Sequence, residues 1–218
     1  HDSVHGVTAL LSDGGICWVE CNYWGSMVKN KNYSLIYHDH FSYFTLQNWM
    51  DILKPHGLQV FDAIVTEAQG GSLRLYASKD RPMTHRCSEL LAWEKKEKIN
   101  DVETAVQYGK DVREEARKLK EVVDKIKAEG KTIAGYGAAA KGFSVLHLAG
   151  IGRESIDYFI DDSPAKQGKY TPITHIPVVK RENAKPVDYF FITAPNYSHV
   201  IMEKEREFWD RVQTQQPP

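Results

Sequence analysis

Thr132-Ile133-Ala134-Gly135-Tyr136-Gly137-Ala138-Ala139-Ala140-Lys141-Gly142 changes character halfway along. Three residues of strand type run into a turn of glycine and alanine, and a helix is expected over 138–148. A strand that passes through such a turn into a helix is half of a βαβ unit. Further strands are expected over 156–160 and 187–194, with a helix over 198–212. Strands alternating with helices predict a parallel, doubly wound sheet, so the carboxyl-terminal part reads as α/β.

Upstream the pattern changes. A long amphipathic helix is expected from Val102, with apolar positions at threes and fours (Ala105, Val106, Val112, Ala116, Leu119, Val123, Ile126) and a stop at Gly130. Before it, 58–66 and 72–78 read as an antiparallel strand pair across the turn Gln69-Gly70-Gly71, with Leu73, Leu75 and Ala77 alternating against Ser72, Arg74 and Tyr76. Thr45 is placed to cap a helix through Leu53, with Phe44 and Trp49 as its hydrophobic staple and Pro55 and Gly57 as its stop. After the turn Asp13-Gly14-Gly15, 16–21 reads as a buried strand that brings Glu20 near its carboxyl end, where ligands sit in open α/β sheets.

The 218 residues are 42% hydrophobic and 26% charged, enough for one large or two small cored domains. Lys and Arg number 28 and Asp and Glu 29, interspersed to a net charge of -1, which leaves no broad basic face for a nucleic acid polymer or an anionic membrane. No apolar run approaches the roughly 20 residues of a membrane span, and the first residues have neither the basic nor the apolar region of a signal peptide, so the cytoplasm is the expected address. Cys17, Cys21 and Cys87 have no zinc or disulfide spacing and read as buried thiols. The chain begins at His1 and soon enters Val7-Thr8-Ala9-Leu10-Leu11, which reads as a fragment of something longer. The sequence is silent on oligomeric state.

Two constellations could carry chemistry. In the first, Gly135, Tyr136, Gly137, Ala138 and Ala139 let backbone amides approach a phosphate at the positive end of a helix dipole, and Lys141 adds a charge. Asp161 and Asp162 end the next strand, where an acid often holds a ribose hydroxyl. Tight packing of the turn, and an Asp-rich turn before Pro164, account for the same residues without a ligand. The spacing departs from GxGxxG, which disfavours a nicotinamide-dependent oxidoreductase.

The second constellation is Tyr37-His38-Asp39-His40, in the loop before the Thr45 helix. An imidazole with an unperturbed pKa of about 6.5 suits a general base, and a neighbouring carboxylate can orient it. His38 and His40 as metal ligands, or as loop histidines without a task, remain alternatives; no third or fourth metal ligand is evident. Arg74 could fork onto a ligand carboxylate or phosphate, or simply be exposed at a hairpin.

In order, Ile36-Tyr37-His38-Asp39-His40-Phe41-Ser42-Tyr43-Phe44, His56-Gly57-Leu58, Gly70-Gly71-Ser72-Leu73-Arg74, Gly135 to Gly142 and Lys166-Gln167-Gly168 resemble the sugar C-methyltransferase family over nearly the whole chain. That family uses S-adenosylmethionine and has an N-terminal zinc-binding segment, a central methyltransferase domain and a C-terminal Rossmann-like domain. The resemblance implies the C-terminal portion of the methyltransferase domain over 1–80, a helical connector over 81–130 and a Rossmann-like, doubly wound domain over 131–218. It implies C-methylation of a nucleotide-activated 4-keto-deoxysugar, with His40 as base and Tyr37 and Asp39 beside it. Asp39 stands where the family has glutamate, one methylene longer. A cysteine cluster for zinc and a glycine-rich first strand-turn-helix for the methyl donor are absent from the sequence, so the chain alone is expected to be inactive. The alternatives are a non-catalytic nucleotide-sugar binding module and an NAD-dependent oxidoreductase domain.

Overall fold

The computed structural model describes residues 2–193 and 198–215. Its contacts divide into two compact units, residues 1–112 and 113–218. The boundary falls inside one helix, and each unit has its own sheet.

The first unit opens with α1 (Asp2–Leu10), β1 (Cys17–Asn22) and the short α2 (Trp24–Asn30). There follow α3 (Leu46–Leu53), β2 (Gln59–Thr66), β3 (Ser72–Ser78), α4 (His85–Lys96) and the start of α5 (Val102–Ala128). The sheet order is β1-β3-β2, with β3 antiparallel to both neighbours. Leu73, Leu75 and Ala77 are fully buried on one face of β3, as their alternation predicts, and meet Leu46, Leu53, Val60 and Cys87 in the core. The Thr45 hydroxyl accepts from the amide of Asn48 at 3.1 Å, and the Asn48 side chain accepts from the Thr45 amide at 3.1 Å, which closes a capping box. The Phe44 and Trp49 rings are 5.1 Å apart, as a staple requires. Cys87 is buried; Cys17 and Cys21 are half-buried, and the Trp49 indole donates to the Cys21 sulfur at 3.2 Å.

The second unit contains β4 (Ile133–Tyr136), α6 (Ala140–Ala149), β5 (Phe159–Ile160), β6 (Val178–Val179), β7 (Tyr189–Ile192) and α7 (Ser198–Gln215). The four strands are all parallel, in the order β6-β5-β4-β7. Ala134, Tyr136 and Ile160 pack with Ile201 of α7. Gly135 and Phe159 point the other way, and Phe159 meets Phe143 of α6 edge-on at 5.8 Å. The protein is therefore mixed α/β, with an antiparallel sheet followed by a parallel one.

Several boundaries differ from the sequence reading. The helix expected from Ala138 starts at Ala140, because Gly137 has a positive φ of 84° and Ala139 is extended at φ −105° and ψ 142°. The strand expected over 156–160 is regular only at Phe159–Ile160, because Ser155 and Ile156 turn back to the Gly152 carbonyl. The strand expected over 187–194 runs from Tyr189 to Ile192, and residue 194 lies outside the described residues. No helix among the described residues is long and apolar enough to cross a membrane.

Candidate active site

β1 ends on Asn22, whose ladder partner is Ser72 of β3, so its side chain leaves a rigid element. The next segment folds back through turns. The His40 amide donates to the Tyr37 carbonyl at 3.0 Å, and the His40 ring packs against that of Tyr37 with centroids 4.2 Å apart and planes tilted by 44°. Tyr37, Asp39 and His40 then line one cavity with Glu20 and Asn22 of β1, Gln69 of the β2–β3 connection and Ser72 at the start of β3. Its volume of about 830 Å³ is in the range of sites for small organic ligands.

The tautomer of His40 follows from one contact. Its Nδ1 lies 2.8 Å from the Leu35 carbonyl oxygen, and a carbonyl can only accept. Nδ1 therefore carries the proton, and the lone pair is left on Nε2. The Tyr43 hydroxyl donates to the same carbonyl at 3.1 Å and fixes its direction; burial pushes that hydroxyl's pKa up and keeps it a donor. The Asn22 side-chain nitrogen is 3.1 Å from Nδ1 and 3.3 Å from Nε2. At nearly equal distances from both nitrogens, the amide nitrogen lies over the ring face, and the in-plane lone pair of Nε2 stays open.

The expected orienting carboxylate is elsewhere. Asp39 is exposed and pairs with the equally exposed His38 at 3.3 Å. The backbone of Leu35 does for His40 what the sequence reading gave to a neighbouring acid. Arg74 also differs from its expectation as a ligand-binding fork: its Nε and one terminal nitrogen donate to Glu20 across the β1–β3 ladder at 2.9 and 2.8 Å. That guanidinium, with a hydroxyl bond from Thr66 at 3.0 Å, holds the Glu20 carboxyl below its usual range. Asn22, Leu35 and Tyr43 were not singled out by the sequence reading. The position of Asn22 at the carboxyl end of β1 was the signal available for it; a backbone carbonyl leaves no signal at all.

In the second unit the glycine turn is closed on itself. The amides of Gly135 and Gly137 donate to Tyr158 and Ile160, that of Ala139 to Gly137, and that of Ala138 to the Asp161 carboxylate at 2.7 Å. Asp161 is buried and also accepts from the Ser163 amide at 2.9 Å and Lys166 at 3.0 Å. It thus supplies the anion that the turn was expected to find in a ligand. Gly135 packs so closely on Phe159, and Gly142 on Thr193, that a β-carbon at either would overlap its neighbour. Tyr136 is a core residue, with its ring beneath the Arg181 guanidinium. Lys141, at the start of α6, is half-buried, and desolvation pulls its pKa down. Among the described residues no group of three or more His, Cys, Asp or Glu side chains is placed to hold a metal.

Comparison with known proteins agrees with the ordered motifs. A family described as the C-methyltransferase C-terminal domain matches residues 67–214. The C-methyltransferase NovU of Streptomyces niveus is 34% identical over 213 residues, which cover 95% of this chain and 51% of that protein. The chain thus spans about half the length of the curated relative it matches. On both grounds it belongs to the C-methyltransferase family.

Proposed function

We propose that this chain is the acceptor-handling part of an enzyme that C-methylates a nucleotide-activated 4-keto-deoxysugar, with His40 as the general base. The observation that carries the reading is the Leu35 contact, which leaves the His40 Nε2 lone pair on a ring that lines the cavity. A base so placed removes the proton from the carbon beside the sugar ketone; Tyr37, packed against the ring, limits its rotation. The first unit is the late part of a methyltransferase sheet. The second is a Rossmann-like, doubly wound domain, a reading supported by helices on both faces of its parallel sheet.

In that sheet β4 leads to β5 on one side, whereas β7 is added on the other. The change of direction lies between β4 and β7, beside Gly137 and Lys141, and crevices of this kind bind ligands in open α/β sheets. With the amides up to Ala139 engaged internally, an anionic group bound in this crevice would meet the start of α6 and Lys141.

S-adenosylmethionine supplies the electrophilic methyl in this reading. The chain's own residues account for binding and deprotonating the acceptor.

The test is proton–deuterium exchange at the carbon beside the ketone of a nucleotide-linked 4-keto-sugar, followed by NMR in heavy water. Exchange by this chain that is lost in His40→Ala is the expected result. A sugar that binds and keeps its ring hydrogen would refute the reading.

A further inference from the structure

We infer that Asn22 is a catalytic residue, the amide donor that binds the ketone oxygen while it becomes an enolate oxygen. The inference rests on the keto-sugar reading above and adds to it the group that receives the negative charge. Asn22 and His40 line the same cavity, and the Asn22 nitrogen is within hydrogen-bond reach of Nε2 at 3.3 Å. Nε2 is the atom to which the proton goes.

When the C–H bond breaks, the proton passes to Nε2 and its electron pair moves through the new C=C bond onto the ketone oxygen, one carbon away. A donor that touches the base nitrogen is therefore within reach of that oxygen. The C–H group approaches Nε2 in the ring plane, and the Asn22 amide beside the ring is placed to meet the oxygen. In heavy water the imidazolium exchanges its proton with solvent and returns a deuteron, so the cycle needs no other reactant.

The electrostatics of the cavity make such a donor necessary. Its lining includes the carboxylates of Glu20 and Asp39 and no lysine or arginine among the described residues. Glu20 is engaged by Arg74 and Thr66, and Asp39 is exposed beside His38, so the developing oxyanion must be met by a neutral donor, and a preorganised N–H serves it best. The backbone of Asn22 is fixed, because it ends β1 in register with Ser72, and its side-chain nitrogen is the cavity amide within 3.3 Å of the base.

The test compares this chain with Asn22→Leu and Asn22→Asp, which keep the size of the side chain and replace its donor by a methyl group or an acceptor. Exchange of the ring hydrogen is measured at saturating nucleotide-linked 4-keto-sugar, and sugar affinity and far-ultraviolet circular dichroism are recorded for each protein. The exchange rate is expected to fall about a hundredfold in both variants, the scale of losing one oxyanion donor, with affinity and fold retained. Exchange abolished in His40→Ala but within about threefold of the parent in both folded Asn22 variants overturns the inference and leaves the base assignment standing. A parent chain that binds the sugar without any exchange overturns the base assignment and the inference together.

Discussion

Glu94 holds Tyr23, the residue after Asn22, and the start of α3, and removing it has a calculable effect. It is 1% exposed on α4, and its carboxylate accepts from the Tyr23 hydroxyl at 2.7 Å, the Leu46 amide at 2.7 Å and the Gln47 amide at 3.1 Å. It thereby caps α3 and anchors the residue that follows Asn22. Burial, reinforced by Glu94, pushes the Tyr23 hydroxyl's pKa up, so Tyr23 stays a donor at every working pH. Glu94→Ala leaves three donors without their acceptor, two of them on fully buried residues. At about 1–3 kcal/mol per buried unsatisfied group, partly offset by water entering the space, the cost is about 4 kcal/mol. Glu94→Gln, which keeps one acceptor oxygen, is expected to cost about 2 kcal/mol. Against a typical domain stability of about 5–15 kcal/mol, the alanine variant is near the threshold of unfolding. Urea unfolding followed by tryptophan fluorescence measures this, with Trp93 beside Tyr23 as a local reporter at 6.5 Å. A cost below about 1 kcal/mol for Glu94→Ala, with an unchanged denaturant slope, would refute the assignment of Glu94 as the shared acceptor.

Two further outcomes concern the second unit. Gly135→Ala is expected to lower its stability by about 1–3 kcal/mol, because the added methyl overlaps the Phe159 ring; thermal unfolding that matches the parent would show that packing does not require this glycine. Asp188 ties the starts of β4 and β7 together by accepting from the Thr132 amide and hydroxyl and from Lys131, which brings its pKa down to about 2. A carboxyl near 3.9 when unfolded and lower when folded gives stability that is present above about pH 4 and lost as pH falls toward 2. Acid titrations of unfolding should therefore be flatter between pH 4 and 2 in Asp188→Asn, and an unchanged profile would contradict the assigned shift.

The parts of this structure legible in the sequence are those with local causes. The Thr45 cap, its staple, the alternation of Leu73, Leu75 and Ala77 and the α5 stripe from Val112 to Val123 depend on residues a few positions apart, and each is found, whereas Ala105 and Val106 of the expected stripe are exposed. α1, α2, α4 and β6 were not named, although α4 falls within the expected helical connector. β6 is only Val178–Val179, too short for any periodicity, and exists because Phe159 and Ile160 offer an edge to pair with. The site divides in the same way. His40 was legible from its residue type and its motif, but its orienting partner is a backbone carbonyl, which no sequence pattern encodes. Arg74 and Asp161 were legible as charged groups near ligand-binding ends of strands. Their partners, Glu20 on the next strand and the Ala138 amide across the sheet, are contacts that only the folded chain creates.

The protonation pattern of the His40 ring is the most direct test of the claim that this residue is held ready as a base. Nitrogen-15 NMR of the ring in this chain, above the pH at which the imidazole becomes neutral, reports which nitrogen bears hydrogen. The account predicts a proton on Nδ1, bonded to Leu35, and a bare Nε2. A proton found on Nε2 would contradict it, since the nitrogen assigned to take the substrate's hydrogen would already carry one.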